Sequence, residues 1–451
     1  MLSLARNSLT RRAGTFLATF LVLLFGAVMI MAFAAMLDTA GQADRISAAG
    51  EETLTTMGSV VGGWGLCLVA FAAASTIGLS VRQRSAEIGL LKSAGATPAQ
   101  ITRMVVAEAG LVALVAAAAA VAPAYAAGSQ LLRLLVDTGQ VDAQVSFAFG
   151  PIALSIGFGV TVLSSVLAAW TNARAKARSR VTEVLLDAAT DTGRMTWKRI
   201  VPAVVLIVAG VYLGVLTLTA LRDKGPDAMP VAGQSAILVS IGLALLAPGL
   251  VRLAIAAVGR LLAHRSTAGY LMVQNLRHRT GQAAASLTPV ILFTGIGTGI
   301  LYLQLIENQA AEAAGYTATN EQTNIQTLNL VVIGMIVAFA CIMLINTIIA
   351  ATTQRAREFA QLRLAGATPP QVLATVRAEG ALVVLTGIVA GAVAGMCTVI
   401  PYSMVRTDQW IPAVTPWLFV GIVAVAVTAT LGAGLGSTRR LLRQQTIEAM
   451  A

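Results

Sequence analysis

Ten runs of apolar residues divide the chain, near 14–36, 57–80, 104–132, 148–170, 200–220, 231–258, 283–303, 327–351, 379–403 and 415–436. Each is long enough to cross a bilayer as a helix of about 20 residues. In hydrocarbon every backbone N–H and C=O must be satisfied inside the protein, and uninterrupted apolar runs of this length do so as α-helices. The expected fold is therefore an all-α membrane protein with ten transmembrane helices. The third and sixth runs exceed the length needed to cross and are expected to tilt or protrude.

An even number of spans returns both ends to one side, and lysine and arginine decide which side that is. With the N-terminus inside, the inner segments hold 26 of the 31 basic residues. The outer loops hold five: Arg45, Arg133, Arg222, Lys224 and Arg406. The acids divide the other way, 8 inside and 12 outside, leaving +18 inside and −7 outside. Both termini are thus expected in the cytoplasm. Hydrophobic residues make up 57% of the chain and charged residues 11%, far too little charge to cover a soluble protein of this length. The net charge of +11 then anchors topology and meets anionic lipid, and needs no nucleic acid to explain it. Arg6, Arg11 and Arg12 ahead of an apolar run, with Ala32-Phe33-Ala34 after it, outline a cleavable signal. The first span is nevertheless expected to be kept, because it belongs to a repeat.

That repeat lies at an offset of 271 residues. Residues 83–112 read QRSAEIGLLKSAGATPAQITRMVVAEAGLV, and residues 354–383 read QRAREFAQLRLAGATPPQVLATVRAEGALV. Fifteen of the 30 positions are identical without a gap, including polar residues that an alanine-rich composition cannot match by chance. The flanks agree. Asn7 and Arg11 before the first span correspond to Asn275 and Arg279 before the seventh. A basic helix from Arg174 to Arg180 with Thr-Glu-Val-Leu at 182–185 corresponds to Arg439 to Arg443 with Ile-Glu-Ala-Met at 447–450. The chain divides into a first repeat, 1–187, a linker carrying the fifth and sixth spans, 188–269, and a second repeat, 270–451. Four spans return each repeat to its starting side, so the repeats are expected to be parallel, about an axis near the membrane normal. The two linker spans are expected at the periphery.

The repeated segment has a definite local form. Arg84, Glu87, Ile88 and Leu91 fall at helical spacing, and Glu87 can pair with Arg84. Gly95 ends that helix in a left-handed conformation, Thr97 caps the next, Pro98 suits its first position, and Gln100 completes a capping box. Gly366, Thr368, Pro369 and Gln371 repeat every signal. The pattern predicts a short surface helix, a tight turn and a sharp entry into the next span, made twice. It is either a well-capped loop or a two-fold docking surface. Its repetition favours docking, since the other loops of the chain keep no such identity. Glu108 and Glu379 lie just inside the third and ninth spans. An acid in a span suggests function, but so close to the interface pairing with a nearby arginine, Arg103 or Arg377, is the expected arrangement.

Other chemistry finds little support. No Gly-x-x-x-x-Gly-Lys-Ser/Thr, Gly-x-Ser-x-Gly or His-Glu-x-x-His occurs. Cys67, Cys341 and Cys397, with His264 and His278, show neither metal nor redox spacing. Asn346, Pro248 and Pro123 within spans are expected to serve packing or kinks. Midplane acids or arginines of the kind that couple ions are not evident. An ion-coupled secondary transporter and a membrane scaffold or signalling protein stay as alternatives.

Glu-Ile-Gly-Leu-Leu-Lys-Ser-Ala-Gly-Ala-Thr-Pro-Ala-Gln-Ile at 87–101 resembles the signature of FtsX-like permeases, the membrane subunits of MacB-type (type VII) ABC systems. The copy at 358–372 is looser, with Phe359 and Gln361, but keeps Ala-Gly-Ala-Thr-Pro. The ten-span arrangement resembles that of Bce-type permeases. The resemblance implies a permease subunit of the bacterial plasma membrane that couples ATP hydrolysis elsewhere to export or extraction of an amphiphile, peptide, drug or lipid, or to mechanotransmission. It implies that segments 82–97 and 353–368 are coupling helices. Docking would then fall to Arg84, Glu87, Leu90, Leu91 and Lys92, and to Arg355, Glu358, Gln361, Leu362 and Arg363. No cofactor is implied for this chain; ATP and Mg would sit on a partner ABC ATPase, in two copies per permease. Membrane lipid and an extracellular partner protein are further expected contacts. Relatives of MacB and Bce type carry a large outer domain, whereas only about 37–56 and 304–326 are available here.

Overall fold

The computed structural model describes residues 13–42, 46–178, 195–265, 267–313, 341–349, 351–352, 355–410 and 416–443, with isolated positions 334, 337–338 and 412. Regular structure among these residues is helical throughout, without a strand. The longer helices are α1 (Ala13–Gln42), α2 (Ala48–Thr56), α3 (Gly62–Gln83), α4 (Ser85–Ser93), α5 (Pro98–Asp137) and α6 (Pro151–Arg178). They continue as α7 (Trp197–Thr219), α8 (Met229–Leu245), α9 (Ala247–Arg265), α10 (Thr267–His278), α11 (Thr280–Ala313), α12 (Ala356–Leu364), α13 (Pro369–Thr407) and α14 (Trp417–Arg443). Seven are long and apolar enough to cross a membrane, and the bent pair α8–α9 makes up to eight. The second expected span shows the shorter apolar stretch Gly65–Gly78 within α3. The eighth, 327–351, is described over 341–349 and at a few other positions, and its remainder lies outside the described residues, as do Asn7, Arg11 and the tail motifs at 182–185 and 447–450.

The third and sixth runs reach their length differently. Helix α5 is unbroken over 40 residues, roughly 60 Å at 1.5 Å per residue, about twice the hydrocarbon thickness. Helices α8 and α9 meet at 69°. Pro248 sits at the start of α9, where its missing N–H and its ring exclude continuation of the helix and disfavour helical geometry at Ala247. This proline therefore marks the bend.

The described helices form two compact units, α1 to α6 and α7 to α14 with the stretch 341–349. In the first unit α5 lies along α1 through small residues. Ala116 packs with Leu23, and Ala120 and Ala124 with Ala27 and Met31, all fully buried or nearly so. In the second unit α13 lies along α11 through Gly387, Gly391 and Gly395. A Cβ on Gly391 would stand 2.7 Å from the Thr294 Cβ, 2.9 Å from the Gly295 nitrogen and 3.0 Å from the Ile291 oxygen. Steps of four place such residues on one helix face. The offset of 271 sets Ala116, Ala120 and Ala124 against these three glycines. Without a hydrophobic drive between helices in lipid, close backbone approach through small residues is what holds spans together.

The linker helices were expected at the periphery, and α8 is not peripheral to its unit. Ala232, Ser235, Ala236, Ile237 and Val239 are buried. The Thr398 hydroxyl of α13 donates to the Ala232 oxygen (2.7 Å) and accepts from the Ala236 nitrogen (2.8 Å), entering the backbone ladder of α8. Helix α7 covers α8 through Gly210 and Gly242 and turns Val204, Val205, Val208 and Tyr212 outward.

At the other end of each unit from α4 and α12, polar groups close the bundle. In the first unit Asp38 is 3% exposed, and its carboxylate accepts from the Ile152 (3.1 Å) and Ala153 (2.7 Å) nitrogens at the start of α6. In the second, Glu307 accepts two bonds from Arg406 (2.8 and 2.7 Å) and one from the Tyr402 hydroxyl (2.6 Å).

Candidate functional site

The segment made twice in the sequence is made twice in the structure. Helix α3 stops at Arg84, whose φ of −94° and ψ of 14° turn the chain into α4. Arg355, at φ −86° and ψ 9°, turns it into α12. Each short helix ends in a Schellman motif. The Ala96 nitrogen donates to Leu91 O and Gly95 to Lys92 O; Ala367 donates to Leu362 O and Gly366 to Arg363 O. Gly95 has φ +89° and Gly366 φ +91°, a region that a Cβ disfavours. Thr97 and Gln100 then exchange bonds in a capping box, Thr97 N to Gln100 Oε1 at 2.9 Å and Gln100 N to Thr97 Oγ1 at 3.3 Å. Thr368 N donates to Gln371 Oε1 at 2.9 Å. Pro98 and Pro369 open α5 and α13. Thr97→Ala and Thr368→Ala are each expected to cost about 1 kcal/mol of local stability, seen as faster amide exchange at Gln100 and Gln371.

Below the turn the two copies pack alike. Ile88, Ile101 and Val105 share a buried cluster with Ile77, Val81 and Ala173. Phe359, Val372 and Val376, their counterparts at +271, share one with Leu435 and Leu441.

The acids within the long helices find partners other than those nearest in sequence. Glu108 pairs with Arg84, at side-chain exposures of 4% and 9%. Glu379 pairs with Arg355 and accepts from Asn275 Nδ2 at 3.0 Å. Arg103 and Arg377 are exposed. Five residues along a helix is about 140° around it, and two residues about 200°, so neither arginine faces its expected acid. The pairing expected between Arg84 and Glu87 has its counterpart in the second copy, where Arg355 donates to Glu358 from Nε (2.9 Å) and Nη2 (3.0 Å). Arg279, between α10 and α11, also pairs with Glu358. Arg355 stacks over the Phe359 ring at 5.2 Å. Burial works against the charge on Arg355, but Glu379 and Glu358 raise its pKa well above the ordinary arginine value. Burial alone would raise Glu358; Arg355 and then Arg279 hold it below its usual range.

The ten expected docking residues therefore separate. Arg84 is buried, Arg355 and the Glu358 carboxyl face the pairs just described, and Glu87 is half-buried. Leu91, Lys92, Leu362 and Arg363 are half-buried, with Arg363 donating to Leu442 O at 3.2 Å. Leu90, 70% exposed, and Gln361 point outward. So does Leu364, 63% exposed, which sequence reasoning passed over because its counterpart is Ser93.

A cavity adjoins each arginine–glutamate pair, about 30 Å³ in the first copy and about 90 Å³ in the second. Ile77, Val81, Arg84, Val105, Glu108 and Val112 around the smaller correspond at +271 to Ile348, Thr352, Arg355, Val376, Glu379 and Val383 around the larger. Among the described residues no three His, Cys, Asp or Glu side chains group to hold a metal.

Long apolar helices in which one capped corner, one buried ion pair and one cavity occur twice define an integral membrane protein built by internal duplication. The FtsX-like permease C-terminal domain matches residues 59–177 and 330–446, each match spanning one corner. Together they cover just over half of the chain, which belongs to the FtsX-like permease family. Members of that family are transport subunits, not themselves catalytic, and work with ABC ATPase partners. A comparison with curated proteins gave no match.

Proposed function

We propose that this chain is the permease subunit of an ABC transporter of MacB type in the bacterial plasma membrane, with both termini cytoplasmic. Helices α4 and α12 are its coupling helices, and one chain seats two ATPase subunits, which hold the ATP and Mg. The observation that carries this reading is the duplicated short helix, closed by a Schellman turn, that presents an exposed leucine beside basic and amide side chains. An apolar anchor with a polar rim is what a docking face needs. Membrane lipid surrounds the spans, and the short outer segments leave an amphiphile, peptide, drug or lipid as cargo, or motion relayed to a separate extracellular partner. Against ion coupling stand the pairs themselves: Glu108, Glu379 and Glu307 each face an arginine.

The test is copurification. Leu90→Asp with Leu364→Asp is expected to lower recovery of the ABC ATPase about tenfold, a loss of roughly 1.4 kcal/mol, without altering yield or helicity. Glu51→Lys, far along the chain from both corners, is expected to leave recovery unchanged. Wild-type recovery in the double variant would remove the docking assignment.

A further inference from the structure

We propose that Arg84 and Arg355 are positioning residues that carry movement of the short helices α4 and α12 into the long helices α5 and α13. The proposal rests on the coupling reading above but concerns what happens behind the docking face.

The geometry is that of a closed triangle. One side is α4, nine residues and roughly 13 Å long. A second is the start of α5 from Pro98 to Glu108, roughly 15 Å. The Schellman turn and the Thr97 capping box fix the corner between them. The third side is the Arg84–Glu108 pair, which ties the beginning of α4 back to α5 across 24 residues. A hinge with two sides can flex at its corner. A triangle cannot change shape without breaking a side, so a push on α4 turns α5 with it. Residues 355–379 build the same figure, closed by Arg355 and Glu379.

Stability alone does not account for the third side. Taking two charges out of water costs about as much as their attraction returns, and apolar side chains of similar volume commonly serve as well. What a guanidinium and a carboxylate supply instead is a directional link that keeps hydrogen bonds while its ends rotate. The cavities give the pairs room to do so: even about 30 Å³ can admit a water molecule. In the second copy Arg355 bridges Glu358 on the short helix and Glu379 on the long one, so its charge keeps one partner if the other shifts. Arg279 and Asn275 draw in the start of α11 and the end of α10.

The experiment measures the triangle directly. Spin labels are placed at Ser93→Cys and Gln130→Cys, both exposed, after replacing the three native cysteines with serine. Distances are read by pulsed electron resonance in the full-length chain. The expected wild-type result is one narrow distribution, the same alone and in the complex with the ABC ATPase with or without ATP. Arg84→Lys keeps the charge and loses the planar fork. It is expected to broaden the distribution in the free chain and to add a nucleotide-dependent shift of about 2 Å in the complex, while the ATPase still copurifies. Should Arg84→Lys fail to fold, the exchanged pair Arg84→Glu with Glu108→Arg is measured in its place. It is expected to restore a folded chain with the wild-type distance and intermediate width. A folded Arg84→Lys chain, or exchanged pair, as narrow as wild type with no nucleotide shift would overturn the proposal. If the wild-type chain recovers no ABC ATPase, the docking reading fails alone, because the width in the free chain still decides whether the pair closes the triangle.

Discussion

Replacing Gly391 with leucine is expected to abolish recovery of monodisperse protein from detergent. The position faces α11 across the seam, and two of the three atoms a Cβ would meet are backbone, the Gly295 nitrogen at 2.9 Å and the Ile291 oxygen at 3.0 Å. A flexible side chain could swing aside; two main chains cannot. The spans would have to separate, which strips contact from Gly387 and Gly395 as well. Overpacking of this kind costs about 3 kcal/mol or more, and a membrane bundle held by small-residue contacts has little else to offset it. Gly391→Ala should show a weaker form of the same defect. Gly432→Ala in α14, where nothing lies within 4 Å, should be neutral or mildly stabilising. Size-exclusion profiles and thermal melting of the three variants separate crowding from a general intolerance of glycine replacement.

Asp38→Ala is expected to loosen the opposite end of the first unit by about 3 kcal/mol, as two nitrogens at the start of α6 lose a charged acceptor in a buried place. The carboxylate also faces the positive end of that helix. Asp38→Asn keeps one acceptor oxygen without the charge and should lose about half as much. Gly150→Ala tests the same contact from the other side, since its Cβ would lie 2.6 Å from Asp38 Oδ1. Melting temperature in detergent and protease cutting near residues 142–150 report the loss. Equal melting of Asp38→Ala and wild type would show that water replaces the carboxylate at no cost.

What could be read from the sequence was local. Gly95, Thr97, Pro98 and Gln100 lie within six residues, and each acts on its immediate neighbours, so the turn they make needed no knowledge of the rest of the chain. The same holds for Gly366 to Gln371. The partners of Glu108 and Glu379 were misjudged because proximity along the sequence suggested Arg103 and Arg377. The true partners, 24 residues upstream, become neighbours only once the capped turn folds α5 and α13 back against the preceding corner. The long sixth run gave no sign beyond Pro248 that it would bend by 69°. Burial of α8 was likewise hidden, since its composition matches that of a lipid-facing span; what distinguishes it is Thr398 on a helix some 160 residues later. Exposure of Leu364 could have been found by extending the helical spacing of the second copy on its own terms instead of mapping it from the first.

The small-residue seam has a consequence for how the two halves can drift apart in evolution. Alanine in one half and glycine in the other occupy matching places, Ala116, Ala120 and Ala124 against Gly387, Gly391 and Gly395. In an assembly of two identical subunits any substitution at such a place is forced on both copies at once. Here each half can be retuned separately. Glycine admits a tighter seam and forbids any larger side chain; alanine holds the spans one methyl further apart and tolerates more variation. The second half is thereby the more constrained of the two, and random mutagenesis scored for membrane expression should find fewer survivors along α13 than along α5.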